Sequence, residues 1–279
     1  MDTSYTTFYI PKRNGKKRKI EAPNDELKAK QEELLEEFEK DKKLKPSYFT
    51  HGFLKGRSIV TCAVPHVGKK FLLRIDIKDF FNSIKYENFT KEMKLQKVSI
   101  NEEKLMLCFK NDDPQMYDIK KAYLSQGAPT SPYLSNIYLR RFDWAVAWFA
   151  FKYKVEYTRY ADDLFFSGED IKDLKIIIQY CRQKLISHKL KANVSKTKIR
   201  KWYQRQMVCG IVVNNKINIM RKIRREIRAM IHNAKKDGRE LDKQEKGLIA
   251  FMKMADPKKF KEIISSVDIC NSYAVANEL

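Results

Sequence analysis

Tyr160-Ala161-Asp162-Asp163 stands between two apolar runs, Val155 to Tyr160 and Leu164 to Ser167, that read as β-strands. Neighbouring side chains in a strand point to opposite faces, so adjacent aspartates can serve one site only where the chain turns. At the tip of a tight hairpin their carboxylates lie close together and repel unless a cation stands between them. Magnesium suits such a place, because it takes hard oxygen ligands and keeps part of its shell for water and phosphate. Two such ions about 4 Å apart require a third carboxylate. Asp76, near the end of the apolar run Phe71 to Ile77, is the candidate. The plainer alternative is an Asp-Asp turn that serves only its own backbone hydrogen bonds.

The rest of the chain supplies the elements that must hold these groups. Phe8 to Ile10 and Arg18 to Ile20 predict a hairpin, with Asn14-Gly15 at its turn. Asn24 caps a helix whose apolar face carries Leu27, Leu34, Leu35 and Phe38. Phe71 to Ile77 predicts a buried strand, while Pro132 to Phe151 and Ile171 to Leu185 have helical periodicity. Val208 to Val213, Asn214-Asn215 and Lys216 to Ile219 predict a further hairpin. Beyond about residue 219 the pattern is helical, with Ile223, Ile227, Met230, Ile231 and Ala234 in one stripe. Arg221, Arg224, Arg225 and Arg228 crowd the remaining face, Gly238 closes the helix, and Asp256-Pro257 separates two more. The expected division is therefore 1–216 and 217–279.

The 279 residues carry a formal charge of +22. Such an excess cannot be paired internally, and a polyanion is its natural partner, nucleic acid before an acidic membrane. The charge is clustered: Lys189 to Lys261 holds 22 lysines and arginines against 6 acidic residues. Cys62, Cys108, Cys181, Cys209 and Cys270 are odd in number and scattered, with no CxxC pair, which argues against a disulfide or zinc framework and fits a reducing cytoplasm. The four histidines show no ligand spacing. No apolar run approaches the ~20 residues of a membrane span, and the N-terminus carries no apolar stretch of signal-peptide length.

Five blocks, in order, resemble those of reverse transcriptases. Arg74-Ile75-Asp76-Ile77-Lys78-Asp79-Phe80-Phe81-Asn82-Ser83-Ile84 is similar to their first carboxylate block. Ser125-Gln126-Gly127-Ala128-Pro129-Thr130-Ser131-Pro132 resembles their glutamine-glycine block, and Tyr157 to Asp163 their aspartate-pair block. Ile10 to Pro23 matches the opening fingers hairpin and Leu190 to Lys198 the later lysine block. The likeness covers nearly the whole chain and points most of all to bacterial retron-type enzymes. Many of these carry Val-Thr-Gly where this chain has Val208-Cys209-Gly210, and their Asn-Ala-x-x-His block is not found here.

The resemblance implies an α+β right-hand polymerase: fingers and palm in 1–216 and a small helical thumb in 217–279. It implies RNA-directed synthesis of DNA from deoxynucleoside triphosphates with two Mg2+ ions. Asp76 and Asp162 would be direct metal ligands, with Asp163 the third carboxylate of the catalytic set. Phe81 would be the steric gate against a ribose 2′-hydroxyl, although core packing beside Phe80 is its plainer role. Gln126 would contact the incoming nucleotide, Gly127 would allow close backbone approach, and Lys12 and Arg18 would grip the triphosphate. Lys196, with Lys198 as its rival, resembles the lysine that protonates the leaving pyrophosphate. Arg221, Arg224, Arg225 and Arg228 would follow the backbone of an RNA–DNA duplex. The implied partners are a structured non-coding RNA template and an effector or toxin protein in phage defence. A non-retron defence or mobile-element enzyme is the alternative, a group II intron enzyme fits less well because no maturase segment follows, and a non-catalytic RNA-binding scaffold is the reading from another class.

Overall fold

The computed structural model describes residues 4–11, 15, 17–112 and 118–265. The predicted first hairpin is present: β1 (Tyr5–Pro11) and β2 (Lys17–Pro23) pair antiparallel, with Tyr5 opposite Pro23 and Pro11 opposite Lys17. Most of it stands in solvent, and only Glu21 and Pro23 at its base are buried. Asn24 then caps α1 (Asp25–Lys40), its side chain accepting from the Leu27 N–H at 2.8 Å. Leu27, Leu34 and Phe38 turn inward from that helix.

After α2 (Ile59–Ala63) the chain enters β3 (Phe71–Ile77), then the short α3 (Phe80–Ser83), α4 (Tyr86–Leu95) and α5 (Glu102–Met106). The helical stretch expected over Pro132 to Phe151 is two helices, α6 (Ser131–Tyr138) and α7 (Arg140–Lys152). They meet at Leu139, whose ψ of 4° departs from helical geometry. There follow β4 (Glu156–Tyr160), β5 (Asp163–Gly168), α8 (Ile171–Ser187) and β6 (Ala192–Lys201). These strands form one antiparallel sheet in the order β4-β5-β3-β6.

Period-two alternation gives the sheet two distinct faces. Leu73, Ile75 and Ile77 of β3 face α7 and α8, where Val146, Ala150, Ile177 and Leu185 complete the main core. Leu72 and Phe165 face the opposite side, toward a second cluster that includes Cys62, Val208, Ile211, Ile227 and Met252.

The hairpin expected with its turn at Asn214-Asn215 is reduced to one antiparallel bridge, Val212 with Asn218, whose two backbone hydrogen bonds are 2.8 and 3.0 Å. The apolar run doubles back on itself as β7 (Met207–Val208) and β8 (Ile211–Val212), turning at Cys209-Gly210. Both turn residues have positive φ, 48° and 87°, the backbone that a two-residue hairpin loop requires. Asn214, within that turn, also braces a neighbouring one: its amide donates to the Trp202 and Gln204 carbonyls. The end of the described chain is helical, with α9 (Arg221–Lys236), α10 (Lys243–Ala255) and α11 (Pro257–Ser265). Ile227, Ile231 and Ala234 of α9 are buried, and the cluster that holds Ile227 and Ile231 continues across residue 216 into the sheet. Among the described residues, no helix is long and apolar enough to cross a membrane.

Candidate active site

Asp76 lies on β3 in register with Asp163, the first residue of β5. Asp162 occupies the two-residue turn between β4 and β5, and its carbonyl accepts from the Ile77 N–H at 2.9 Å. Three carboxylates from two segments far apart in sequence thus lie at one end of the sheet. Asp76 shares its strand face with Leu72 and Arg74, and Asp163 shares its face with Phe165, so both lie on the side away from α7 and α8.

Two cations already reach this cluster. Arg74 grips Asp163 with both Nε and Nη2, each at 2.8 Å. Lys196, on β6, donates to Asp76 at 2.9 Å. Its rival Lys198 sits opposite Arg74, one pair further from the carboxylates. Arg74 was not singled out by sequence, although its position two residues before Asp76 on a strand places both on one face. Among the described residues Asp162 forms no ion pair. Burial, then the charges of Asp163 and Asp76, push its carboxyl up to about 6. Burial also raises the Asp163 carboxyl, despite Arg74.

The donor set suits hard divalent cations, since three carboxylates concentrate more negative charge than the two side-chain cations neutralise. As the side chains stand, no three such donors among the described residues converge on a common point. Arg74 and Lys196 hold two of the carboxylates, so a bound cation must compete with Lys196 for Asp76.

The turn is fixed from behind by groups whose types alone gave no signal. Ala161 adopts φ 54°, an unfavourable conformation for a side chain bearing a Cβ. Arg159, fully buried, holds that turn by donating to the Ala161 carbonyl at 3.1 Å. The same guanidinium makes two bonds to Asp143 at 2.8 Å and one to Asn136 at 2.9 Å. Gly52 closes against the turn, where a Cβ would lie 2.9 Å from the Ala161 nitrogen.

The nucleotide-contact candidates have the following places. Phe81 is half-buried on α3, its ring 5.2 Å from that of Phe80. Gln126 is half-buried, and its carbonyl accepts from the Glu21 N–H at 2.9 Å. Gly127, at φ 142°, is where β2 comes close: a Cβ there would sit 2.7 Å from the Glu21 carbonyl oxygen. The close approach seen at Gly127 is thus made by the hairpin. Glu21 is itself buried under Lys110 at 2.6 Å, Lys19 at 2.8 Å and the Tyr123 hydroxyl at 3.0 Å. Arg18 is exposed on β2, and Lys12 lies outside the described residues. Arg221, Arg224, Arg225 and Arg228 line one shallow concavity on α9.

The block missing from the sequence reading has a variant form at Cys62-Ala63-Val64-Pro65-His66. His66 is buried between Ser167 at 2.7 Å and Thr158 at 2.8 Å, at the backs of β5 and β4. Cys62 stands where the block has asparagine; its thiol lies 3.2 Å from Thr158 Oγ1, and Cys209 packs against the same cluster.

The reverse transcriptase (RNA-dependent DNA polymerase) family model matches residues 10–213. Among curated proteins, the retron Mx65 reverse transcriptase of Myxococcus xanthus is 33% identical over 275 residues, covering 93% of this chain and 63% of that protein. The retron Ec86 reverse transcriptase of Escherichia coli is 30% identical, covering 95% and 81%. The chain thus spans less than two thirds of the Mx65 protein's length. Candida albicans telomerase shares the fold at a TM-score of 0.52 and 11% identity, over 99% of this chain and 57% of that one. By these matches the chain belongs to the reverse transcriptase family, among its retron-type members.

Proposed function

We propose that this chain is an RNA-directed DNA polymerase that copies a cognate structured non-coding RNA into a small DNA. The observation that carries this reading is the meeting of Asp76, Asp162 and Asp163 on one sheet end, within a chain of this family. Asp76 and Asp162 would hold Mg2+, with Asp163 completing the set. Bound there, the ions would supply activation of a primer 3′-hydroxyl and neutralisation of triphosphate charge.

The protein's own groups prepare that site. Arg74 orients Asp163, and Lys196 holds Asp76 until substrate phosphate offers the lysine another anion. Phe81 on α3 and Gln126 beside β2 would frame the incoming deoxynucleotide, while Arg18 and Lys12 would reach its triphosphate from the hairpin. Residues 217–279 would act as a thumb whose arginine face follows the RNA–DNA duplex. A role in phage defence with an effector protein, in a reducing cytoplasm, completes the proposal; Cys62, Cys108, Cys181 and Cys209 are all free thiols, which suits it.

Asp162→Asn tests the reading against the scaffold alternative. DNA synthesis on a primed RNA template should fall by at least a thousandfold while RNA affinity stays within about twofold, because the affinity comes from positive charge elsewhere. Primer extension at the parent rate would overturn the assignment.

A further inference from the structure

The outer side of α7 is an unusual surface for a soluble protein. Trp144, Trp148 and Phe151 are 55%, 66% and 74% exposed. With 3.6 residues per turn they share an arc of the helix with Arg141 and Lys152, both exposed. Asp143, the helix's one carboxylate, is buried against Arg159, so every exposed charge on α7 is positive. The aromatic groups are ordered against one another. The Trp148 and Phe151 rings stack at 6.3 Å, and Trp144 meets Phe49 edge-on at 5.2 Å. Beside them lies a concavity of about 600 Å³ whose lining includes Arg140, Trp144 and Lys184.

This surface is separate from the carboxylates. The buried side of α7 packs on the sheet face that carries Leu73 and Ile75, whereas Asp76 and Asp163 lie on the other. A duplex in the catalytic cleft would leave it uncovered. Large exposed aromatics flanked at both ends by cations match what unpaired nucleic acid requires, flat rings for bases to stack on and positive charge for the phosphates. Trp144 and Phe151 are separated by about 10 Å along the helix, room for two or three bases.

From this geometry we infer that the outer face of α7 is a second nucleic-acid site, which stacks an unpaired segment of RNA on the back of the palm. The inference rests on the proposed RNA-dependent function and adds where RNA outside the cleft is held. Arg141 also meets Glu92 at 3.4 Å, but that carboxylate is buried, and the absence of an exposed one on α7 favours RNA over a protein partner, whose binding would need no stacking of bases.

The test uses the full chain preloaded with a blocked RNA–DNA primer–template, so that the cleft is filled, and titrates a labelled 12-nucleotide oligo(rA). Trp148→Ala/Phe151→Ala should weaken oligo binding at least tenfold, and Trp148→Phe should retain it within about threefold. Arg141→Gln/Lys152→Gln should flatten the dependence of log affinity on log salt by about one unit or more. Extension of a short primed template, measured separately, should remain at the parent rate in every variant. Parent-like oligo affinity in the double alanine variant overturns the inference, as a protein-docking role would predict. A parent chain that fails to extend primers would count against the polymerase reading alone, and the oligo titration would still decide this one.

Discussion

The molecule contains two antiparallel hairpins of similar size that are held in opposite ways. The hairpin that carries Asp162 and Asp163, β4 and β5, is largely buried and braced by Arg159, Asp143 and Asn136. The hairpin of β1 and β2 stands in solvent and is tied down at its base, by Glu21 under Lys110 and Tyr123 and by the close approach of Gly127. Catalysis by charge placement requires groups that do not reorganise, whereas gripping and releasing a substrate requires an arm that moves. Local stability follows buried contacts, so the first hairpin should open far more readily than the second.

Removing the brace gives the largest expected effect. Arg159→Met leaves the Asp143 carboxylate buried without its cation and should cost roughly 3–5 kcal/mol in denaturant unfolding. Asp143→Leu combined with Arg159→Met should recover much of that loss, because neither charge is then stranded. DNA synthesis should stay impaired in the double variant, since the Ala161 carbonyl has lost its donor. A double variant no more stable than the single one would show that packing, rather than the stranded charge, sets the cost.

Acid should also separate the hairpins. Thr158 donates its proton to the Cys62 carbonyl, so His66 Nε2–H donates to Thr158 and Nδ1 accepts from Ser167. Burial holds the His66 imidazole down to about 3 and that of His51 to about 4, against 6.5 when unfolded. The unfolded chain therefore takes up protons below pH 6.5 that the folded chain refuses. Stability should fall as pH drops from 6.5 toward 4, by up to about 1.4 kcal/mol per pH unit for each histidine. His66→Gln should shallow that slope, as followed by chemical denaturation across pH. An unchanged slope would place the acid sensitivity in other groups.

These contrasts also mark what could be read from sequence. The placing of the three aspartates at one sheet end was legible because the strand–turn–strand pattern says where such side chains lie. The first hairpin and α1 were legible because turn and cap residues act over a few positions, as Asn24 does on Leu27. Arg159, Asp143, Asn136 and Gly52 were not. Their role depends on contacts between segments 16 to more than 100 residues apart, and each residue type alone is compatible with any surface. The turn at Cys209-Gly210 was missed for a related reason: an apolar run read as one strand concealed a cysteine with positive φ.

The smallest expected effect sharpens the comparison most, because it asks whether the first hairpin is a distinct mobile unit. Gly127→Ala introduces a Cβ at φ 142°, a region that residues with a side chain avoid, and places it 2.7 Å from the Glu21 carbonyl oxygen. Backbone strain of this kind costs about 1–3 kcal/mol. The hairpin can relieve it by swinging away, since its contacts with the palm are concentrated at that base. Global unfolding should then shift by about 1 kcal/mol or less, while amide exchange in β1 and β2 accelerates well beyond that in β4 and β5. If the hairpin positions the triphosphate, the KM for deoxynucleotides should rise several-fold with a smaller change in kcat, because the carboxylates stay where Arg159 holds them. Uniform acceleration of exchange across both hairpins would mean that the two are one cooperative unit, and the distinction between a fixed site and a moving arm would fail.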